Sequence, residues 1–380
     1  MLNKLSNFPG VQGPVVIIVM DGYGIPKTDV GSAIAAARKP TLDRLFADYP
    51  HITLRAHGTA VGMPSDDDMG NSEVGHNAIG AGQVYSQGAA LVANAIASGA
   101  IWEGEAWQQV VGGAKAGRGV IHLIGLFSDG NVHSHIDHLK AMIVQAKADG
   151  VPTVRIHALL DGRDVPETSA LEYVLPFEAF LAEISNNNFD AQIASGGGRQ
   201  NITMDRYDAN WAMVDIGWQT HVLGRGQQFS SASVAVNALR EQFPKTIDQD
   251  LPPFVIARDG KPVGTIEDGD GVVFFNFRGD RAIEITRAFE EAHFEKFDRV
   301  RLPRVTYAGM LQYDGDLKLP KRFLVEPPAI RNTMGEWFAK GGITQFACSE
   351  TQKFGHVTYF WNGNRSGKFE GETYQEVPSD

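Results

Sequence analysis

The sequence predicts an α/β fold made of two mostly parallel domains. Short apolar runs rich in β-branched residues recur along the 380 residues, and helical patterns lie between several of them. Parallel neighbours in a sheet need crossover connections, which such helices provide. The hydrophobic fraction of 43% is large enough for more than one buried core. The longest apolar runs are much shorter than the ~18 residues that span a bilayer, so they are interpreted as strands.

The apolar runs and the helix signals between them define the predicted elements. Eight strands are predicted, at residues 15–20, 120–127, 153–160, 189–194, 272–277, 305–310, 343–347 and 356–361. One helix is predicted to begin after Ser134 as its N-cap and to stop at Gly150. Another is predicted to begin at Pro40.

Two stretches without clear periodicity, residues 82–88 and 317–328, mark the predicted domain boundaries. They predict a discontinuous first domain of residues 1–85 and 326–380, into which residues 86–325 are inserted. Each part contains its own predicted strands, so each is expected to form its own sheet.

Charge and cysteine content restrict the class of partner. Thirty-four Lys and Arg against 45 Asp and Glu give a formal charge of −11, which argues against nucleic-acid or membrane partners and leaves a small molecule. The single cysteine, Cys348, cannot form an internal disulfide, and residues 1–10 lack the apolar segment of a signal peptide. We therefore expect a cytoplasmic protein, with Cys348 in the core of its strand.

Polar residues follow the ends of five predicted strands, where ligands of parallel α/β sheets gather. They are Asp21, His133, Arg163 with Asp164, Arg199 with Arg206, and Arg278 with Arg281. A guanidinium group binds phosphate or carboxylate through two parallel hydrogen bonds, so five such arginines in an acidic chain indicate a small anion with several charges. In the alternative interpretation each arginine pairs with a neighbouring aspartate at the surface, as Arg281 would with Asp280.

Ser72 precedes a helical stretch and is predicted to be its N-cap. Unpaired amides and the helix dipole would stabilise a phosphate on its oxygen there, although capping alone also explains a serine at this position. A serine nucleophile needs a base or a metal to activate it. Asp21 offers a hard oxygen ligand suited to Mn or Mg, and one metal ion bound to Asp21 and Ser72 would provide that activation.

Seven ordered motifs, taken together, are far more specific than any one of them. They lie at residues 19–24, 69–77, 128–135, 161–166, 204–206, 276–281 and 353–358. With these motifs the sequence resembles the 2,3-bisphosphoglycerate-independent phosphoglycerate mutases, relatives of alkaline phosphatase. The resemblance implies a discontinuous alkaline-phosphatase-like domain with an inserted substrate-binding domain. It also implies interconversion of 2- and 3-phosphoglycerate in glycolysis and gluconeogenesis, without added bisphosphoglycerate.

The resemblance also implies roles for single residues. Ser72 matches the phosphoryl acceptor, Asp21 a manganese ligand, and Asp164 a residue that moves protons at the glycerate hydroxyls. Residues that match substrate-binding positions are His133, Arg163, Asp164, Arg199, Arg206, Arg278, Arg281 and Lys353, the last beside the transferred phosphoryl group. The complete enzyme of this family is expected to be a monomer with two manganese ions, for which Mg or Co are possible replacements.

The chain departs from the family pattern in its metal ligands. Most of them belong to a segment that follows the lysine motif, whereas residues 362–380 contain no histidine and only Asp21 and Ser72 match. We therefore expect the N-terminal part of a longer mutase, inactive alone, with apolar surface exposed in its truncated first domain and poor solubility. The alternatives are a non-catalytic form that binds phosphoglycerate, or a related metal-dependent phosphohydrolase or phosphopentomutase.

Overall fold

The computed structural model describes residues 5–25, 28–63, 65–66, 70–86, 88–206, 208–314, 317–326 and 330–379. By its internal contacts the chain divides into two units. The first, here called the split unit, comprises Met1–Val61, Met69–Tyr85 and Ile330–Asp380. The second, the central unit, comprises Gly62–Asp68 and Ser86–Ala329. Pro327 and Pro328 of the predicted second boundary lie outside the described residues.

The helices and strands of the described residues follow in chain order. The α-helices are α1 Ala33–Ala36, α2 Pro40–Asp48, α3 Ser72–Ala81, α4 Gly88–Ser98, α5 Ala100–Glu103, α6 Glu105–Ala116, α7 Ile136–Ala148, α8 Ala170–Ile184, α9 Trp211–His221, α10 Ala232–Gln242, α11 Ile283–Glu290, α12 Met334–Lys340 and α13 Thr351–Gly355. The strands are β1 Val120–Phe127, β2 Thr153–Leu160, β3 Asp190–Gly198, β4 Gln227–Phe229, β5 Phe254–Arg258, β6 Lys261–Pro262, β7 Gly271–Phe274, β8 Thr306–Gly309, β9 Gln345–Glu350 and β10 Glu372–Val377. Within the described parts of the chain, every helix is too short or too polar to cross a bilayer.

The central unit is built on one mostly parallel sheet in the order β4-β5-β3-β2-β1-β7-β8, with β6 beside β5. Strand β1 runs parallel to β2 and β7, and only the pairings of β5 with β3 and with β6 are antiparallel. Helices connect the parallel strands, as crossovers require. The predicted α/β class with mostly parallel strands is confirmed.

Both faces of the central strand β1 of this sheet are buried. On β1, Leu123 points into a core shared with Phe177 of α8, whereas Ile124 points into a second core shared with Trp218 of α9. All eight residues of β1 are buried. Burial on both faces explains why this strand appears in the sequence as a continuous apolar run instead of an alternating one.

Strand β3 extends through the glycine run and is longer than the predicted strand at residues 189–194. Its register against β2 shifts once, opposite Ile156 and His157. A side chain at Gly196 would overlap β2 and β5, because a Cβ there would lie 2.6 Å from the Ala158 carbonyl oxygen and 2.5 Å from the Phe254 ring. The glycines therefore let the sheet close around β3, and Arg199 follows the strand directly.

In the split unit, β9 and β10 form a parallel two-stranded sheet. The strand predicted at residues 356–361 is wrong, because His356–Phe360 forms a π-helix that continues α13. α3 approaches this π-helix so closely that a Cβ at Gly80 would overlap the Trp361 carbonyl oxygen. The β-branched and aromatic residues of this segment favour a strand, but packing against α3 overrides that preference.

The strand predicted at residues 15–20 is also wrong, since these residues belong to no strand and are all exposed. An apolar run becomes a strand only when a neighbour supplies backbone hydrogen bonds, and no described segment pairs with it. Cys348 is exposed on β9, which corrects its predicted place in the core. It shares the exposed face of that strand with Phe346.

Two predicted helix caps shift by one residue, while two other helix signals are confirmed. Asn71, not Ser72, caps α3 by accepting a hydrogen bond from the Val74 amide, so Ser72 is the first helical residue. His135, not Ser134, caps α7. The Pro40 start of α2 is confirmed, and Gly150 follows α7 with a φ of 76°.

Candidate functional site

Three predicted site residues of the split unit meet in what is here called the Ser72 cluster, made of Asp21, Ser72 and Lys353. Ser72 Oγ donates a hydrogen bond to Asp21 Oδ2. Lys353 Nζ, on α13, lies 2.5 Å from the same oxygen and donates to Ser72 Oγ at 3.4 Å. One carboxylate oxygen, one hydroxyl and one ammonium group are therefore in mutual contact.

Charge and helix geometry shape the Ser72 cluster. Partial burial works to raise the pKa of Asp21, but hydrogen bonds from Lys353 and Ser72 outweigh it and hold that pKa below its ordinary value. Ser72 begins α3, where free amides and the helix dipole favour negative charge. His76, one turn later and buried, bonds the Ser72 carbonyl oxygen through Nδ1 at 2.7 Å and packs edge-on against His356.

The same cluster has donors of the type that bind a hard divalent cation. Asp21 Oδ2 and Ser72 Oγ are oxygen donors, the class preferred by Mn and Mg. Over the described ranges, however, no three His, Cys, Asp or Glu side chains are grouped so that they could hold a metal ion. The cluster therefore suits a metal in its chemistry and supplies two of the donors that such an ion needs.

The predicted site residues of the central unit also come together, as the arginine cluster of His133, Arg163, Asp164, Arg199, Arg206, Arg278 and Arg281. They follow strands β1, β2, β3 and β7, at the carboxyl ends of parallel neighbours. The side chains of the cluster are close enough for the charge of one to shift the pKa of another. Burial lowers the pKa of His133 well below its ordinary value, and the positive charges of Arg199 and Arg278 lower it further. Burial also lowers the pKa of Arg281, with Arg206 and Arg199 adding to the effect.

Arg199 is the most deeply buried cation of this cluster, with only 1% of the residue exposed. Its Nη1 donates to Asp161 Oδ1 at 2.8 Å and to Asp164 Oδ2 at 2.5 Å. The alternative of surface pairing therefore does not describe Arg199, because its ion pairs are buried. Asp161 was not predicted as a site residue, although its place immediately after β2 was a usable signal.

Two contacts tie the other segments of the arginine cluster together. The Phe277 amide, after β7, donates to the His133 carbonyl oxygen at 2.7 Å. Asp280 Oδ1 lies 3.2 Å from Arg278 Nε and 3.6 Å from His133 Nδ1. The segments that follow β1 and β7 are thereby joined.

Arg281 has a structural contact in addition to its predicted substrate role. Its Nη1 donates to the Met204 carbonyl oxygen at 2.6 Å, which holds the segment that carries Arg206. Glu284, which sequence reasoning missed, supports the same segment by accepting a hydrogen bond from the Asp208 amide at 3.2 Å. Burial is the main cause that raises the pKa of Glu284 to about 7.

A second buried polar group of the central unit was also missed. His122 Nδ1 lies 2.9 Å from His157 Nε2, and Ser195 Oγ lies 2.7 Å from both His157 Nδ1 and His221 Nδ1. His122 Nε2 also lies 3.1 Å from Asp270 Oδ2. The usable signal was the presence of two histidines inside the apolar runs that form β1 and β2.

Comparison with known proteins extends this picture. Residues 92–315 match the family model described as the BPG-independent PGAM N-terminus. The probable 2,3-bisphosphoglycerate-independent phosphoglycerate mutase of Leptospira interrogans is 60% identical over 370 residues, covering 96% of this chain and 68% of that protein. The corresponding mutase of Trypanosoma brucei brucei is 53% identical over 370 residues, covering 96% of this chain and 67% of its own length.

A solved structure gives the same result. A crystal structure of Leishmania mexicana phosphoglycerate mutase at low cobalt concentration matches with a TM-score of 0.87 and 54% sequence identity, covering 95% of this chain and 67% of that chain. The chain therefore spans about two thirds of the length of these relatives. Identity of this extent, with the seven motifs in order, confirms the resemblance, and the chain belongs to the 2,3-bisphosphoglycerate-independent phosphoglycerate mutases, a family of isomerases.

Proposed function

We propose that this chain carries the nucleophile and the substrate-binding residues of an enzyme that interconverts 2- and 3-phosphoglycerate in glycolysis and gluconeogenesis. The observation that carries the proposal is the combination of a Ser72 cluster with a cluster of five arginines in an acidic chain. Phosphoglycerate has a phosphate and a carboxylate, and guanidinium groups suit both. The partner is this small molecule, without nucleic acid or membrane, in a monomeric cytoplasmic enzyme.

The reaction proceeds through a phosphoserine. Ser72 Oγ loses its proton to solvent and forms a bond to the phosphorus, while the bond from phosphorus to the glycerate oxygen breaks. Asp164 gives a proton to that glycerate oxygen and accepts one from the other hydroxyl, which then forms a bond to the phosphorus while the bond from phosphorus to Ser72 Oγ breaks and the serine oxygen regains a proton from solvent. Because the group returns to the same glycerate, no bisphosphoglycerate is needed. Lys353 stabilises the transferred phosphoryl charge, and the arginine cluster with His133 holds glycerate.

We propose metal dependence, with manganese as the ion and Mg or Co as replacements. Asp21 and Ser72 would hold it, and a bound divalent cation would favour the serine alkoxide. Two described donors are fewer than the six or so that such ions take up. We therefore expect little or no turnover by this chain alone. Non-catalytic binding of phosphoglycerate is the second candidate function, which the small number of donors favours.

The test is conversion of 3-phosphoglycerate to 2-phosphoglycerate, coupled to enolase, with manganese and without bisphosphoglycerate. Calorimetry with 3-phosphoglycerate and mass spectrometry of Ser72 are run in parallel, with Ser72→Ala as control. Turnover that the control abolishes supports the mutase and contradicts inactivity. Binding without turnover is the result expected for this chain alone, in which case phosphoserine at Ser72 supports the mutase and its absence supports non-catalytic binding of phosphoglycerate. Release of free phosphate contradicts the mutase, and absence of binding contradicts both functions.

A further inference from the structure

Asp161 is a buried carboxylate to which the proposed function assigns no role. It follows β2 directly, and its side chain is only 1% exposed. It lies two and three residues before Arg163 and Asp164 in the sequence, and its carboxylate accepts hydrogen bonds from the amides of both. A buried carboxylate is costly unless several donors satisfy it, so its partners indicate what it does.

The Asp161 carboxylate connects the segments that follow three strands. Oδ1 accepts from the Arg163 amide at 3.2 Å, from the Asp164 amide at 3.0 Å and from Arg199 Nη1 at 2.8 Å. Oδ2 accepts from Ser128 Oγ at 2.5 Å. Ser128 follows β1, Arg163 and Asp164 follow β2, and Arg199 follows β3.

We propose that Asp161 is a positioning residue that sets the places of Arg163, Asp164 and Arg199 at once, an inference that rests on the proposed function. Its two amide contacts fix the turn that presents Arg163 and Asp164. Arg199 Nη1 donates to both Asp161 and Asp164. By holding Arg199, Asp161 therefore also fixes the position of the Asp164 carboxylate. A carboxylate suits this place because charge-assisted hydrogen bonds are stronger than neutral ones.

Positioning and simple charge predict opposite effects on anion binding. If Asp161 acted only through its negative charge, removing that charge would make the cluster more positive and would tighten the binding of phosphoglycerate. If Asp161 positions the cluster, removing it weakens binding despite the gain in positive charge. The sign of the change in affinity therefore separates the two explanations.

The experiment measures 3-phosphoglycerate binding to the full chain by calorimetry at constant ionic strength, for wild type, Asp161→Asn and Asp161→Ala. We expect Asp161→Ala to raise Kd about tenfold or more, because four hydrogen bonds are lost. Asp161→Asn keeps an oxygen acceptor for the two amides and should have an intermediate Kd. If Asp161→Ala fails to fold, Asp161→Asn, with nearly the same shape, decides alone.

The matched control is Asp270→Asn. Asp270 is also fully buried and accepts from Arg118 Nη1 and the Glu267 amide, but it precedes β7 and so lies at the opposite end of the strands from the arginine cluster. We expect its substitution to leave Kd within about twofold of wild type. A loss of affinity equal to that of Asp161→Asn would show that any buried charge defect weakens binding, and would overturn the proposal.

Hydrogen exchange of the amides in residues 161–165 provides a readout that does not depend on ligand. Both Asp161 variants should speed exchange there, and Asp270→Asn should not. Unchanged exchange, or wild-type or tighter binding by the Asp161 variants, overturns the proposal. A third outcome is faster exchange in the Asp161 variants when the wild-type protein does not bind 3-phosphoglycerate. This outcome supports Asp161 as the residue that positions this loop, and it contradicts the proposed function.

Discussion

The Ser72 cluster and the arginine cluster hold charged side chains in different ways. In the Ser72 cluster the side chains of Lys353 and Asp21 are 35% and 31% exposed, and they meet at one carboxylate oxygen. In the arginine cluster Arg199 pairs with the neighbouring Asp161, and these two side chains are 2% and 1% exposed, at the ends of strands that are buried on both faces. Similar ion pairs thus occur in a partly hydrated place and in a dry one.

This difference in hydration predicts which of the two clusters can rearrange and which one is held rigid. An exposed ion pair is weak and screened by salt, so Lys353 and Asp21 can rearrange at small cost when a phosphate or a cation arrives. A buried pair resists disruption because the loss of one partner leaves an uncompensated charge. The arginine cluster should therefore be preorganised, and the Ser72 cluster adjustable.

The largest expected effect is that of Arg199→Gln. It leaves the buried Asp161 and the partly buried Asp164 without their shared cation, which should lower the free energy of unfolding by about 3–5 kcal/mol. Urea unfolding of the full chain measures this change. The control is Arg304→Gln, which breaks the exposed pair with Asp268 and should leave the midpoint unchanged. Equal losses in the two variants would remove the distinction between a dry and a hydrated ion pair.

The next effect tests the split unit at the close approach of α3 to the segment that ends in Trp361. Gly80→Ala would place a Cβ against the Trp361 carbonyl oxygen and should cost about 1–3 kcal/mol as α3 and the π-helix move apart. Hydrogen exchange should become faster in α3 and remain unchanged in β1. Gly75→Ala on the same helix has open space around its Cβ and should stabilise by about 0.5–1 kcal/mol. A stable Gly80→Ala protein would show that this contact does not hold the split unit.

Acid should act on the central unit through its buried histidines. Burial is the main cause that lowers the pKa of His122, His133, His138, His157 and His221, the last to about 3. Their unfolded forms bind protons below about pH 6.5, so the unfolded state holds more protons than the folded state down to about pH 3. The free energy of unfolding should therefore be independent of these groups above pH 6.5.

Below pH 6.5 the free energy of unfolding should fall by up to about 1.4 kcal/mol per pH unit for each proton taken up on unfolding. Urea unfolding at pH 7.5, 6.5 and 5.5 measures the slope. His221→Gln removes one of the groups and should make the slope smaller. A slope that stays the same in this variant would show that His221 is not among the groups that bind the extra protons.

The smallest expected effect on stability is that of Ser72→Ala. Ser72 is part-exposed, and among the described residues its hydroxyl is hydrogen-bonded to Asp21 and Lys353, so the free energy of unfolding should change by less than about 0.5 kcal/mol. Binding of 3-phosphoglycerate by the arginine cluster should remain, while phosphoserine formation should disappear. A large loss of stability would show that the Ser72 cluster stabilises the fold, and would contradict the view that it is the more adjustable of the two clusters.

Much of the fold could be predicted because burial leaves a local pattern. The runs that form β1 and β2 were predicted with the bounds that the structure has, since a strand covered on both faces is mostly apolar instead of alternating between apolar and polar residues. The residues that follow these strands were also placed correctly at one edge, because parallel strands bring their carboxyl ends together. The runs at residues 15–20 and 356–361 have similar local signals but form no strand.

The amino-acid sequence by itself determined the α/β class, the family and the residues of both clusters, because these depend on composition, periodicity and ordered motifs. Only the tertiary structure decided that Asn71 caps α3, that residues 356–360 form a π-helix, and that Asp161 joins three segments. The physical reason is that hydrogen bonds and close packing between residues far apart in the chain override local preference. Such contacts leave no periodic signal in the sequence.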